Sequence, residues 1–131
     1  MSEPVADQLR TEMECEGLLE CLYGLTELDR EVFGALVESE TALTVDQVAE
    51  TVDRERSTAY RSVRRLVDTG LVEREQINYD DGGYYHVFSP VDGEEAAGEF
   101  QRLLNEWYAQ MGGLIAEFRE KYDGAAAERS E

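Results

Sequence analysis

Leu43-Thr44-Val45-Asp46-Gln47-Val48-Ala49-Glu50, followed by Arg56-Ser57-Thr58-Ala59-Tyr60-Arg61-Ser62-Val63-Arg64-Arg65-Leu66-Val67-Asp68-Thr69-Gly70-Leu71-Val72, is the stretch whose reading decides the fold. Thr44 with Gln47 three residues on makes a reciprocal helix cap. Val45, Val48, Ala49 and Val52 then give that helix one apolar side. After a charged turn from Asp53 to Arg56, Ser57 is the expected cap of a second helix. In it Ala59, Val63, Leu66 and Val67 fall in one stripe at helical spacing. Gly70 suits a left-handed C-terminal cap, and the small Ala49 sits where two helices must cross closely. Thr44 to Gly70 therefore reads as a helix-turn-helix.

Upstream, Thr26-Glu27-Leu28-Asp29 resembles a capping box with Asp in place of Glu. Leu28, Val32, Phe33, Leu36 and Val37 form the predicted buried face of its helix. Before it, Val5, Leu9 and Met13, then Leu18, Leu22 and Leu25, predict an N-terminal helix broken near Gly17. Downstream, Leu71 to Tyr79 and Tyr84 to Ser89 are rich in strand formers around Asp80-Asp81-Gly82-Gly83. They predict a β-hairpin that Pro90 ends. Asp92 with Glu95 caps a last helix, in which Phe100, Leu104, Trp107, Met111, Leu114 and Phe118 make a heptad seam widened by Leu103 and Ile115.

The predicted fold class is mainly α with a small β-hairpin: a winged helix-turn-helix with flanking N- and C-terminal helices. The segments are 1–25, an N-terminal helix assigned to dimerisation; 26–90, the winged helix-turn-helix; 91–123, a C-terminal dimerisation helix; and 124–131, a flexible tail.

Charge adds a second signal. The chain of 131 residues carries thirty Asp and Glu against twelve Lys and Arg, a net charge of −18. Eleven of the cations are Arg, and only Lys121 is Lys. Short hydrated carboxylates without the apolar stems of Lys suit a surface in concentrated salt, so this composition points to a halophilic host. Between Arg54 and Arg74 six arginines face three carboxylates, a local +3 that leaves −21 for the rest. One positive island thus sits on a negative molecule.

That island carries the candidate site. Ser57, Arg61 and Arg64 lie opposite the buried stripe, flanked by Thr58 and Arg65, with Tyr60 on the shoulder. Hydroxyls and helix-terminal N–H groups can meet phosphates, and Arg can donate two bonds to guanine O6 and N7. Arg54 and Arg56 read as phosphate contacts, and Arg61 and Arg64 as base-edge contacts. Arg65 fits either a DNA contact or an ion pair, and Tyr60 either DNA or packing. The expected partner is double-stranded DNA, approached by a homodimer whose interface is the seam from Phe100 to Phe118. A seam of this length could also pack the last helix onto its own domain.

Other chemistry is poorly represented. Cys15 and Cys21, six apart, lie on different helix faces and read as small buried residues. His86 is the lone His and reads as structural, with an ion site beside Asp80 and Asp81 as the alternative. No catalytic triad, P-loop or metal-ligand cluster is present, so neither an enzyme nor a cofactor is expected. No apolar run is long enough for a membrane span and no signal peptide opens the chain, so a cytoplasmic protein is expected.

The quoted run, above all a helix ending in Leu-x-x-x-Gly-Leu-Val before a hairpin, resembles the archaeal TrmB, MarR and PadR winged-helix regulators. The likeness covers roughly Thr26 to Pro90 and extends to acidic haloarchaeal members that govern oxidative stress. It implies that the helix from Ser57 is the recognition helix and the hairpin the wing. The sequence departs from the usual pattern at the wing tip, where Asp80-Asp81 replaces the cations that would meet minor-groove phosphates. At molar salt the Debye length falls to about 3 Å, so carboxylates around the island are expected to share cations such as potassium with DNA phosphates. The competing reading is an adaptor that binds transcription machinery through its acidic surface.

Overall fold

The computed structural model describes residues 4–10, 15 and 17–129, with side chains at 4–7, 15 and 17–123. The elements run α1 (Val5–Arg10), α2 (Gly17–Tyr23), α3 (Glu27–Glu38), α4 (Val45–Val52), α5 (Arg56–Thr69), β1 (Val72–Asn78), β2 (Tyr84–Pro90) and α6 (Gly93–Arg129). They form two compact units, residues 1–96 and 97–131. The mostly helical first unit with its antiparallel hairpin is a winged helix-turn-helix.

The predicted caps govern where α3 and α4 begin. Thr26 accepts from Asp29 N–H at 3.1 Å while Asp29 Oδ2 accepts from Thr26 N–H at 3.0 Å. Thr44 and Gln47 repeat the exchange at 3.2 and 2.9 Å. α4 ends at Asp53, in the left-handed region with φ 54°. Asp tolerates that conformation better than most side chains because its short carboxylate bonds locally. The turn lets Arg54 N–H return to Ala49 O at 3.0 Å and redirects the chain into α5.

The core lies where α3, α4 and α5 pack against one another and under the hairpin. Val32, Leu36, Val48, Val63, Leu66 and Leu71 are fully or almost fully buried, with Phe88 reaching in from β2. Each such side chain contributes about 1.5–3 kcal/mol on leaving water. Ala49 and Ala59 are buried as well, so the backbones of α4 and α5 can approach. Gly70, with φ 85°, closes α5 in the expected left-handed cap.

The hairpin register pairs Val72 with Pro90 and Asn78 with Tyr84. At its tip Tyr79 N–H donates to Gly83 O at 2.7 Å, and Gly82 takes φ 98°, a value glycine alone adopts freely. Leu43 adds one rung of a third strand, exchanging bonds of 2.9 and 2.7 Å with Phe88. A single rung leaves no periodicity to read.

Several expectations require correction. Val37 is exposed, and Asp29 takes the buried place. The inward side of α3 is centred on Asp29, Val32 and Leu36, spaced three and four, and Val37 lies a further 100° round. Leu18 is exposed whereas Leu19 is buried. Cys21 stands roughly opposite Leu19 on α2, and both Cys15 and Cys21 are exposed, with no disulfide. The expected break near Gly17 fits the described residues, with α1 ending at Arg10, Cys15 in a turn and α2 opening at Gly17. The side chain of Leu9, and Met13, lie outside the described residues. α6 begins after Asp92, whose carbonyl accepts from Ala96 N–H at 3.0 Å, and its backbone is helical to Arg129.

Candidate nucleic-acid interface

The site is built on α5. Glu55 is its N-cap, extended at φ −65° and ψ 151°, and makes no side-chain cap bond. Ser57, the expected cap, is instead the second helical residue. The turn at Asp53 brings the chain into helical conformation by Arg56, two residues before a Ser57 cap would allow. The first intrahelical bond is from Ala59 N–H to Glu55 O at 3.0 Å. Among the described residues, no hydrogen bond engages the N–H groups of Arg56, Ser57 and Thr58. An uncapped start costs about 1 kcal/mol. It leaves open amides at the positive end of the helix dipole, the arrangement that holds a phosphate oxygen.

The arginines divide into held and free. Arg65 is held: its Nε and Nη2 donate to the Asp29 carboxylate at 3.1 and 2.7 Å. Ser62 Oγ donates to the same carboxylate at 2.6 Å and Thr26 N–H at 3.0 Å. Burial alone would raise the Asp29 carboxyl. The bonds from Arg65, Ser62 and Thr26, with the Arg65 charge, outweigh it and lower the carboxyl to about 2. The carboxylate in turn raises the Arg65 guanidinium. Arg56 Nε donates to Asp46 at 2.8 Å, a pair with both partners well exposed and therefore weak. Arg54 Nη1 turns back onto the carbonyls of Val52 and Asp53 at 3.3 and 3.2 Å.

Arg61, Arg64 and Arg74 are exposed, and among the described residues no ion pair or side-chain hydrogen bond engages them. At 100° per residue the arginines of α5 fan out around Arg61. Arg65 leans to the Ser62 side, where Asp29 receives it. Arg64 leans to the side of Tyr60 and Val67, facing the hairpin. A cleft of about 330 Å³ opens there, rimmed by Tyr60, Arg64, Asp68, Arg74 and His86 over Val63, Val67 and Phe88. A neighbouring cleft of about 450 Å³ runs from Asp46 and Arg56 past Tyr60 to Tyr84 and Tyr85.

From sequence, Arg74 counts within the positive island but has no assigned contact, and His86 reads as structural, so sequence reasoning places neither on this surface. The hairpin register was the signal that could have found them, because residues paired across strands share a face. Ser57 is exposed, Thr58 half-buried and Tyr60 42% exposed, so Tyr60 is on the surface and not a core residue. Asp80 and Asp81 are exposed at the tip. Among the described residues, no group of three or more His, Cys, Asp or Glu side chains comes together to hold a metal, and no helix is long and apolar enough to cross a membrane.

On α6, Leu104 and Trp107 are each 46% exposed, and Met111, Leu114 and Phe118 are exposed too. Phe100 is half-buried. Ile115 and Tyr108 widen the apolar surface, and Phe118 stacks on Tyr122 with ring centroids 4.5 Å apart.

A helix-turn-helix with a wing, uncapped at the start of its second helix and flanked by free arginines, defines the class of winged-helix DNA-binding regulators. The family description "Sugar-specific transcriptional regulator TrmB" matches residues 19–94, and the chain belongs to this family of transcriptional regulators. Two uncharacterised proteins of Methanocaldococcus jannaschii are similar along much of their length. MJ1503 is 32% identical over 73% of this chain and 72% of its own, and MJ1082 is 30% identical over 92% and 98%. A solved structure described as a possible transcriptional regulator from Methanosarcina mazei Go1 shares the fold, with TM-score 0.71 at 24% identity over 82% of this chain and 90% of that one.

Proposed function

We propose that the protein is a sequence-specific transcription regulator that enters the DNA major groove with α5 as a homodimer. The observation that carries this reading is the pair Arg61 and Arg64, exposed and unpaired within the island of +3, beside the open amides of the first turn. The amides, with Ser57 and Thr58, would fix the helix on a phosphate. Arg54 and Arg56 would add phosphate contacts, and Tyr60 would contact the backbone. Arg65 is left out of the reading surface because Asp29 occupies its fork.

Two copies would join along α6 through Phe100, Leu104, Trp107, Met111, Leu114 and Phe118. An exposed stripe of this size is more apolar than a lone surface helix needs. Dimerisation presents two copies of α5 to half-sites about one DNA turn apart.

The rest of the chain, at −21, repels DNA unless cations intervene. Carboxylates beside the island, such as Asp46, Asp53 and Asp68, would retain potassium or similar ions and share them with phosphates, as suits a cytoplasm rich in salt. Regulation during oxidative stress belongs to this reading through the resemblance to haloarchaeal regulators. The exposure of Cys15 and Cys21 leaves both thiols within reach of an oxidant. Genome-wide occupancy measured with and without oxidant checks that part, and unchanged occupancy counts against it.

Selection of duplexes from a random library by the purified protein tests the function itself. The expected product is a pseudo-palindromic motif with half-sites spaced by about one helical turn. Recovery of unenriched sequence would overturn sequence-specific recognition.

A further inference from the structure

The two free arginines of α5 need not do the same work, and the hairpin register separates them. Val72, Arg74, Gln76 and Asn78 share one face of the hairpin with Pro90, Phe88, His86 and Tyr84, their partners across the strands. Val72 and Phe88 are buried, so this face turns toward the helices. The opposite face carries Glu73 and Glu75. The strands thus segregate their charge: both carboxylates lie outward, while Arg74 and His86 lie inward, on the rim of the cleft that Arg64 enters from α5.

We infer that the second DNA contact of this protein is the inner base of the wing and not its acidic tip. Arg64 and Arg74, with His86 as an additional donor, form a clamp for one stretch of DNA backbone phosphate. Arg61 is left as the base-reading side chain. The inference rests on the DNA-reading role proposed for α5.

Charge and position both favour this division. Among the described residues, Asp68 is the only carboxylate on the rim, and it makes no ion pair with Arg64 or Arg74. Two guanidiniums against one carboxylate leave the cleft at +1 even with His86 neutral. Two groups from different elements that converge on one cleft suit a rigid anionic backbone, whereas base edges are reached from the outermost line of the helix, where Arg61 stands. Asp80 and Asp81, at the far end of the hairpin, need not approach phosphate at all.

The test compares the wild type with Arg61→Ala, Arg64→Ala, Arg74→Ala and Arg74→Lys. Each titrates two probes at several KCl concentrations: a mixed-sequence duplex, and the duplex that the wild type selects from a random library. Phosphate contacts carry no sequence information and each shifts the slope of log Kobs against log[KCl] by about 0.9. Arg64→Ala and Arg74→Ala are therefore expected to weaken both probes by the same factor and to move the slope positively by about 0.9 each. Arg74→Lys should restore the wild-type slope. Arg61→Ala should reduce the preference for the selected duplex by about tenfold or more with a smaller loss on the mixed one. Wild-type affinity and slope in Arg74→Ala, or a loss of preference in Arg64→Ala, overturns the clamp. If Arg61→Ala and Arg64→Ala both bind the two probes as the wild type does, the DNA-reading role of α5 fails instead.

Discussion

Asp29 shows how one residue can serve two levels of structure. Its backbone N–H and carboxylate complete the cap of α3, and the same carboxylate holds Ser62 and Arg65 of α5. It therefore fixes α5 against α3 from the side opposite the wing. Because its carboxyl is lowered from 3.8 to about 2, the ionised form stabilises the fold above the unfolded-state value. That contribution, on the order of 2 kcal/mol, is lost as pH falls from about 4 toward 2. Urea unfolding followed over this range should show the loss in the wild type. Asp29→Asn should already be destabilised by about 2 kcal/mol at neutral pH and lose less on acidification. An equal acid response in the two proteins would remove Asp29 from this role. The capping half of the function was legible in Thr26-Glu27-Leu28-Asp29. The ion pair was not, because Arg65 is 36 residues away in sequence and nothing local marks its partner.

At the scale of elements, legibility followed the locality of the signal. The caps of α3 and α4, the left-handed end of α5 and the hairpin turn all depend on residues within four or five positions, and each was readable. The start of α5 was misplaced because Ser is a favoured cap in general, whereas here the left-handed Asp53 sets the entry. The single rung at Leu43 and the inward face of the hairpin depend on long-range pairing. For α6, the heptad seam was explicit in the sequence, and its exposed side chains give the proposed dimer a definite test. Replacing Trp107 and Met111 together with Glu should shift the protein from dimer to monomer in sedimentation while the far-ultraviolet helix signal persists. Operator affinity should fall by at least tenfold, because two linked half-sites become one. A variant that stays dimeric would place the interface elsewhere.

Across the whole molecule, the opposing charges matter most. A chain at −18 approaches a polyanion with three arginines, around one helix and the base of its wing, that no ion pair engages among the described residues. The composition announced both the acidic body and the positive island. It could not tell held arginines from free ones: Arg56 and Arg65 look like Arg61 and Arg64 until Asp46 and Asp29 are placed beside them. If cations bridge the remaining carboxylates to phosphate, as proposed, rising salt should not dissociate the complex as it does for basic DNA-binding proteins. The most direct measurement is an anisotropy titration of the selected duplex by the wild type and by the Arg61→Ala/Arg64→Ala double variant, repeated from low to molar KCl. Wild-type binding is expected to persist into molar KCl, and the double variant to bind at least hundredfold more weakly. Equal binding by the two proteins, or wild-type binding that collapses steeply as KCl rises, would contradict the proposed recognition.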